Sequence, residues 1–286
     1  MSSVGPGRLG RPAGIAYHGV AGVSQDCLDA VLNLLMGRSA IRQVRLLSAA
    51  GSHALLLSTE FDDMIAIKSG FSSGYSGEGP NALSKVLCAL VAHGATISEH
   101  AVEPTYISRI DDSALTLGDL DALSVAQEVR PARWQDYIQE RHHRWVVEGH
   151  WVAMMPQVMP FAILDRRLAA SALKFWANPD QVLIDGYRLL EDTIRRRSGL
   201  DQHGAKLFRE AFKSRLGWRV MHEAERGGRA ELFANTFMAF RNPRMHRPAG
   251  TDPGALAEFL LLNQLFRLEA EAVEIAADAG VGQRNN

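Results

Sequence analysis

Two side chains near the C-terminal end of the sequence could act together on a phosphodiester. Arg241 carries a permanent positive charge, and His246, five positions later, can exchange a proton near neutral pH. An imidazole with an ordinary pKa of ~6.5 can take the proton of a ribose 2′-hydroxyl, while a guanidinium neutralises the charge on the phosphoryl oxygens. Asn242 could hydrogen-bond a phosphate oxygen or hold the imidazole in one tautomer. These residue types indicate cleavage of RNA without a metal ion.

The segment around this pair predicts where it must lie. Residues 232–240 form an apolar helical run, and the Asn242-Pro243 dipeptide that follows disfavours helix and interrupts its hydrogen bonds. Arg241 is therefore expected at a helix C-terminus or a kink, where a cation suits the helix dipole. Pro243 can open a new turn that carries His246. The plainer interpretation is that the segment only ends one helix and begins another.

The six residues from Arg241 to His246 resemble the R-x4-H motif of the HEPN superfamily. Its members are small helical bundles, many of them metal-independent ribonucleases of toxin, CRISPR-associated and phage-defence systems. More narrowly, residues 185–269 are similar to the C-terminal domain of a bacterial and phage-borne family labelled Ymh. The matching pieces occur in order over the last third of the chain: Gly186-Tyr187, Arg197-Ser198-Gly199, Ala211-Phe212, Glu231-Leu232-Phe233, Phe240-Arg241-Asn242-Pro243 and His246.

The resemblance implies a function and a set of site residues. Arg241 and His246 would cleave the strand, and Asn242 would be the polar residue that commonly follows the arginine. The active cleft of such proteins forms where two bundles meet, so a homodimer is implied, and 2′-hydroxyl attack would leave a 2′,3′-cyclic phosphate. No metal and no cofactor is expected. The residues expected to contact the RNA backbone are five further arginines: Arg195, Arg196, Arg197, Arg244 and Arg247.

Charge is distributed unevenly along the chain, although the formal net charge is only −1. Residues 51–128 contain 3 Lys and Arg against 11 Asp and Glu, whereas residues 183–250 contain 14 against 8. The basic half suits a polyanion such as RNA, and the acidic half does not. Attraction between the halves, within one chain or across a dimer, would give the same pattern.

Composition favours a globular protein of the cytoplasm. The 286 residues are 47% hydrophobic, and no apolar run approaches the roughly 20 residues that a membrane span requires. The first residues also lack the apolar centre of a signal peptide. We therefore expect no membrane contact, and we expect Cys27 and Cys88, both in apolar helical patterns, to be buried free thiols.

The N-terminal half predicts an α+β domain with a sensor or interaction role. The spacing of apolar residues indicates helices at residues 24–36, 81–93 and 117–126. Short apolar runs indicate strands at residues 54–58, 63–67, 95–102 and 106–110.

A glycine- and serine-rich stretch, residues 69–80, precedes the second of these helices. Its backbone N–H groups could cradle a phosphate at the helix N-terminus. The candidate ligand-loop residues are Gly74, Tyr75, Gly77, Glu78 and Gly79. The stretch lacks the phosphate-binding lysine of a Walker motif, and Glu78 would repel a nucleotide, so a purely structural turn is the alternative.

The C-terminal half predicts a bundle of four helices. Apolar faces recur at residues 183–194, 207–212, 229–240 and 256–277, and Gly227-Gly228 is expected to form the turn before the third. The fourth helix is apolar on nearly all sides, which again suggests a homodimer. The predicted organisation is a flexible tail at residues 1–14, an α+β domain at 15–128, a helical connector at 129–178, a HEPN-like bundle at 179–278 and a flexible tail at 279–286.

Three functional hypotheses follow. The first is a metal-independent endoribonuclease of a bacterial defence or toxin-type system, regulated by the N-terminal domain. The second is a non-catalytic module that binds RNA or a partner protein in a defence assembly. The third is a structural subunit of such an assembly, docked to a partner protein through the acidic N-terminal domain.

Overall fold

The structure, a computed structural model, describes residues 10–37, 40–219, 222–241, 243–244 and 253–275. The chain divides into two compact units, Met1–Pro156 and Gln157–Asn286, which we call the N-terminal and C-terminal units. Strands and helices mix in the first, and helices dominate the second, as predicted at this level. None of the helices in the described ranges is both long enough and apolar enough to cross a membrane.

Five strands form one sheet in the described part of the N-terminal unit. They are β1 (Ala16–His18), β2 (Ile41–Ala49), β3 (Ser52–Thr59), β4 (Met64–Ser72) and β5 (Thr96–Ala101). Their order in the sheet is β1-β4-β3-β2-β5. β2, β3 and β4 are antiparallel neighbours, while β1 pairs with β4, and β5 with β2, in parallel. The carboxyl ends of β2, β4 and β5 therefore lie at one edge of the sheet.

Helices cover both faces of this sheet. They are α1 (Ser24–Leu35), α2 (Glu78–Ala92), α3 (Pro104–Asp111) and α4 (Leu117–Ser124). α1 and α2 share one buried cluster with Val44 and Leu46 of β2, and α3 and α4 share another with Leu47 and Ala49. Because successive strand residues point to opposite faces, this alternation gives three layers, with the sheet in the middle.

Several predictions for this unit are confirmed. The three helices lie at α1, α2 and α4, and the runs at residues 54–58, 63–67 and 95–102 lie at β3, β4 and β5. Cys27 and Cys88 are buried free thiols. Burial raises the pKa of Cys88 to about 11, which keeps its thiol protonated at neutral pH.

One strand prediction was wrong, and two strands, β1 and β2, were not predicted. Residues 106–110 lie in α3, because Pro104 occupies its first turn and Ile107 and Ile110, three positions apart, face the sheet together. β2 was missed, since Arg42 and Arg45 interrupt its apolar pattern.

The predicted helical connector, residues 129–178, is not one element. Trp134, Tyr137 and Trp145 pack against the α1–α2 cluster of the N-terminal unit. Trp134 lies on a 3₁₀ turn, Tyr137 in a non-helical turn and Trp145 on a π-helical turn. Leu168 and Phe175 belong to the core of the C-terminal unit. Prolines 156 and 160 prevent a continuous helix between these two parts.

The predicted flexible tails are only partly described. Leu117 donates its N–H to Arg11 O at 2.9 Å, and Ala13 donates to Leu115 O at 2.8 Å. Residues 11–13 are therefore fixed against the loop before α4, although the sequence placed them in a tail. Residues 1–9 and 279–286, predicted as tails, lie outside the described residues.

Four helices dominate the described part of the C-terminal unit. They are α5 (Pro179–Ser198), α6 (Gly204–Ser214), α7 (Glu223–Thr236) and α8 (Pro253–Glu271). Asn178 caps α5 through its side chain, and Gly199 ends it with a φ of 67°. Aromatic rings fill the space between the helices: Phe237 contacts Tyr187 at 5.1 Å and Phe208 at 4.3 Å, measured between ring centroids. The four predicted helices are confirmed.

Two boundaries in this unit differ from the prediction. Gly227 and Gly228 lie inside α7 rather than in a turn before it, because the His222 side chain accepts a hydrogen bond from Ala224 N at 3.3 Å and caps the helix earlier. α8 ends at Glu271, before the predicted residue 277. The chain then pairs as β7 (Val273–Glu274) with β6 (Leu216–Gly217).

Candidate functional site

The helix that carries Arg241 changes its winding before that residue. α7 continues as a π-helical segment, Phe237–Arg241, so Arg241 is the last residue of the wider turn. Phe237 is 1% exposed and packs among aromatic rings of the core, which holds the segment in place. Single π-helical turns in helices occur often at functional sites. Arg241 itself is half-buried.

Arg244, three residues later, lies in a buried cluster of charges. Its Nε lies 3.1 Å from Glu258 Oε1 and 3.2 Å from Oε2, and its two terminal nitrogens donate to Asp180 and Glu258. Burial opposes the charge of Arg244, but the hydrogen bonds to Glu258 and Asp180 outweigh it and raise the pKa of the guanidinium. The cluster ties the backbone after Pro243 to α5 and α8.

This position does not suit the predicted contact between Arg244 and RNA. The Arg244 side chain is only 6% exposed, and its charge already meets two carboxylates. We therefore assign Arg244 a structural role, as the anchor of the segment that leads toward His246. Asn242, His246 and Arg247 lie outside the described residues.

The predicted arginine cluster at the end of α5 divides into different roles. Arg195 donates to Asp192 at 2.6 Å and to Glu191 at 3.3 Å, and Arg197 donates to Glu269 O at 2.6 Å. The charge of Arg195 is thus matched within α5, whereas Arg197 joins α5 to α8. Arg196 is exposed and forms no ion pair with another described residue, so it is the member of the cluster that can meet a phosphate.

Exposed apolar side chains lie close to Arg241 in the sequence. Leu232 of α7 is 36% exposed, and Met238 and Phe240 of the π-helical segment are 45% and 39% exposed. Leu232 and Phe240, eight positions apart, lie on a similar side of the helix, whereas Met238, two positions before Phe240, points to another side. Large apolar side chains exposed on one side of a helix commonly mark a surface that another chain covers. We call Leu232 and Phe240 the α7 apolar patch.

The glycine-rich stretch of the N-terminal unit spans the end of β4, a loop and the start of α2. Gly74 has a φ of 89°, which suits glycine, and the Tyr75 hydroxyl lies 2.9 Å from Ser72 Oγ. Gly79 is buried in the first turn of α2, where a methyl group would overlap Ser72 Oγ. An open cleft of about 680 Å³ borders the loop. Glu78 is exposed beside it.

Sequence reasoning missed the two carboxylates that hold Arg244. Asp180 is 64 positions away and Glu258 is 14 positions away, so no short motif contains them. A signal was nevertheless present, because Glu258 lies beside Phe259 on an apolar helix, where a carboxylate needs a cationic partner. Among the described residues, no group of three or more His, Cys, Asp or Glu side chains is placed to hold a metal ion.

The fold and the site define the C-terminal unit as a helical bundle with an arginine at the end of a π-helical segment. Residues 167–268 match the sequence model of a family described as a protein of unknown function (Hypoth_ymh), which supports the Ymh part of the resemblance. A search of curated proteins found no match. A chain of the respiratory complex I from Thermus thermophilus is similar at 22% identity over 42% of this chain and 99% of that chain. Its TM-score of 0.35 is too low to support an argument.

Proposed function

We propose that the C-terminal unit is a metal-independent endoribonuclease of a bacterial defence or toxin-type system, with Arg241 and His246 as the cleaving pair. One observation carries the proposal. Arg241 follows Phe237, which is fixed in the aromatic core, and precedes Arg244, which is fixed in the buried ion cluster. The backbone on both sides of Arg241 is therefore fixed. This suits a side chain that must contact a phosphate in one defined geometry.

In the proposed reaction His246 takes the proton of the ribose 2′-hydroxyl, and that oxygen attacks the adjacent phosphorus. The 5′-oxygen leaves with a proton, and the products carry a 2′,3′-cyclic phosphate and a 5′-hydroxyl. Arg241 stabilises the charge on the phosphoryl oxygens. With two motifs facing each other in a dimer, one imidazole serves as the base and the partner subunit's His246 as the acid.

The α7 apolar patch supports the homodimer in this proposal. Burial of Leu232 and Phe240 against a second copy removes exposed apolar surface from water. Arg241 follows Phe240 directly, so a dimer contact there brings the two arginines near the interface. Arg196 is the described residue proposed to contact the RNA backbone, and Arg247 is proposed for the same role. The N-terminal unit is the proposed regulator.

RNA cleavage by the purified protein in EDTA tests this function. The wild type is expected to cut single-stranded RNA and leave 2′,3′-cyclic phosphate ends, whereas an oligonucleotide with 2′-deoxy sugars stays intact. His246→Ala and Arg241→Ala should each lower the rate by about 100-fold or more. His143→Ala is the matched control, because this side chain is 80% exposed and lies in the N-terminal unit.

Three results would count against the proposal. They are unchanged cleavage by His246→Ala, cleavage that requires a divalent cation, and the absence of cleavage under every condition in which RNA binds. The last result favours the alternative, a module that binds RNA or a partner without chemistry. Size measurement of Leu232→Glu separates the dimer from the chemistry, because a charge in the α7 apolar patch should yield monomers.

A further inference from the structure

A row of four polar side chains crosses one end of the sheet in the N-terminal unit. Ser48 of β2 lies opposite His53 of β3, and Glu99 comes from β5, the parallel neighbour of β2. Ser73 directly follows β4 and donates its backbone N–H to Gly51 O at 2.9 Å. The fold thus brings one side chain from each of four adjacent strands to the edge where β2, β4 and β5 end.

Hydrogen bonds join these four side chains in a defined direction. Ser48 Oγ donates its single proton to Glu99 Oε1 at 2.8 Å, so it must accept from His53 Nδ1, which lies 2.7 Å away. Nδ1 therefore carries the ring proton of the neutral imidazole, and Nε2 is an acceptor. Its neighbour at 2.8 Å is Ser73 Oγ. Ser73 is consequently the donor, and its proton faces a base.

The imidazole and the carboxylate of this row are shielded from water. His53 is 1% exposed and Glu99 is 0% exposed. Burial lowers the pKa of His53 to about 4, with Glu99 opposing this shift and Arg133 adding to it. The titratable and charged groups around His53 are Glu99, Arg133 and Tyr137, whose ring meets the imidazole edge-on at 5.5 Å. His53 is therefore neutral at pH 7 and can accept a proton.

Glu99 uses its two oxygens unequally. Oε1 accepts from Ser48, from Arg133 Nε at 3.1 Å and from the Tyr137 hydroxyl at 3.4 Å. Oε2 is buried and has no hydrogen-bond partner within the part of the chain that the structure describes. A buried carboxylate oxygen without a donor is unfavourable and uncommon. The negative charge of Glu99, two hydrogen bonds away from the His53 ring, stabilises an imidazolium that forms during a reaction.

The open cleft of about 680 Å³ begins directly after Ser73. Gly74, Tyr75, Gly77 and Tyr137 are among the residues that line it. The backbone N–H groups of residues 74–77 donate to no acceptor in the described part of the chain, and they precede the N-terminus of α2. Free amides at a helix N-terminus can stabilise an oxyanion that develops beside Ser73.

The charge of the cleft limits what can bind there. The wall of the cleft has two carboxylates, Asp136 and Glu140, and one guanidinium, Arg141. Nη2 of Arg141 already donates to Asn81 Oδ1 at 2.7 Å. This balance repels phosphate esters and nucleotides, and it favours substrates that are uncharged or cationic. The glycine-rich loop is thus better suited to acyl chemistry than to phosphate binding.

We propose that Ser73 is the nucleophile of an acyl-transfer site that acts on uncharged or cationic carboxylic esters. Ser73 Oγ bonds to the acyl carbon while His53 Nε2 takes its proton, and the bond to the leaving alcohol breaks as His53 returns the proton to that alcohol. Water then attacks the acyl-serine by the same route, releases the carboxylic acid and restores the hydroxyl. Ser48 and Glu99 are positioning residues, because they act only through His53.

Active-site labelling of the full-length protein tests this proposal. An uncharged alkyl fluorophosphonate should form an adduct on Ser73, located by mass spectrometry of the digested protein. Ser73→Ala should abolish the adduct, whereas Ser124→Ala, which removes an exposed hydroxyl of α4 away from the cleft, should retain it. His53→Gln should lower the labelling rate by about 100-fold or more. Folded wild-type protein without an adduct on Ser73, or His53→Gln labelled at the wild-type rate, would overturn the proposal.

A second measurement does not depend on whether His53→Gln folds. The labelling rate of the wild type should stay level from pH 8 to pH 5 and fall toward pH 4, because the base is active only when unprotonated. A midpoint near the ordinary histidine value of ~6.5 contradicts the buried His53 as the base. Hydrolysis of neutral 4-nitrophenyl butyrate should also exceed that of the anionic 4-nitrophenyl hemisuccinate. The reverse preference would overturn the substrate class.

Discussion

Each unit of the chain has a group of polar and charged side chains around a buried carboxylate, and the two groups are built differently. In the C-terminal unit, Arg244 meets Asp180 and Glu258 from two other helices, and its side chain is almost fully enclosed. In the N-terminal unit, the pair of Glu99 and Arg133 continues through other side chains to Ser73, which is half-buried at a cleft.

The two groups suit different roles: the cluster around Arg244 suits an anchor, and the row in the sheet suits proton transfer. The cluster around Arg244 is closed, because each of its groups is charged and matched by a partner inside the bundle. The row in the sheet is open, because its hydrogen bonds run in one direction through a neutral imidazole and begin at the half-buried Ser73 hydroxyl, directly before the cleft residue Gly74. A closed cluster fixes the backbone, whereas the open row is oriented so that His53 can accept the proton of Ser73.

The closed cluster should give the largest effect on stability. Arg244→Met leaves two carboxylates without their cation, one of them only 5% exposed, and it should lower the free energy of unfolding of the C-terminal unit by about 3–5 kcal/mol. Urea denaturation followed by tryptophan fluorescence measures this, since Trp218 lies in the same core.

The matched control for Arg244 is an arginine on the surface of the same unit. Arg209 pairs with Glu231 at 2.9 Å, but both side chains are nearly half-exposed, so Arg209→Met should cause no measurable loss. Glu258→Gln combined with Arg244→Met should recover part of the stability. Equal stability of Arg244→Met and Arg209→Met would show that the buried cluster is not an anchor.

The open row should make the stability of the N-terminal unit depend on pH. The pKa of His53 is about 4 in the folded chain and ~6.5 when unfolded, so the unfolded chain binds the proton first as pH falls. Stability from this group is complete above pH 6.5 and is lost between pH 6.5 and pH 4. The expected loss is about 3 kcal/mol, measured by urea denaturation at pH 7, 5.5 and 4.

The contribution of His53 is isolated by substitution, because carboxylates also titrate in acid. His53→Gln should be less stable than the wild type at pH 7 and should lose about 3 kcal/mol less on going to pH 4. His143→Gln, at an 80% exposed side chain, should retain the wild-type slope. Parallel slopes for wild type and His53→Gln would mean that the imidazole is not kept neutral by burial.

The sequence predicted those parts of the fold that local patterns determine. Apolar spacing located α1, α2 and the four helices of the bundle, and Asn178-Pro179 and Gly199 marked the ends of α5. Gly227-Gly228 misled the prediction, because glycine is tolerated in an exposed helix when an earlier cap is strong. β2 was missed because Arg42 and Arg45 interrupt its apolar run, so the sequence shows no regular strand pattern there.

The polar row of the N-terminal unit could not be predicted in the same way. Ser48, His53, Ser73 and Glu99 come from four segments without a shared motif, and only the register of the sheet places them together. The glycine-rich loop was recognised as a candidate ligand site, but its acidic surroundings near Asp136 and Glu140 depend on tertiary packing. Charge and spacing along the chain therefore located the loop, and its role as a ligand site stays a prediction.

Substitution of glycine by alanine also distinguishes the two units. At Gly79 a methyl group would overlap Ser72 Oγ and lie 3.1 Å from the Tyr75 hydroxyl, so the loop beside Ser73 must shift. Gly79→Ala should destabilise the N-terminal unit by roughly 1–2 kcal/mol, which is a typical cost of overpacking. It should also slow fluorophosphonate labelling of Ser73. Thermal denaturation and the labelling rate measure the two effects. An unchanged labelling rate would show that the loop does not shape the cleft beside Ser73.

In α7, substitution of glycine by alanine should instead increase stability, and this is the smallest of the predicted effects. Gly227 is exposed, and a methyl group there would meet no atom within 4 Å. Because alanine restricts the unfolded chain and favours helix, Gly227→Ala should stabilise the C-terminal unit by roughly 0.5–1 kcal/mol. Gly228→Ala, equally open, should behave alike in the same denaturation assay. Destabilisation by both would mean that α7 does not pass through these glycines as a regular helix, and that the turn expected from the sequence is present after all.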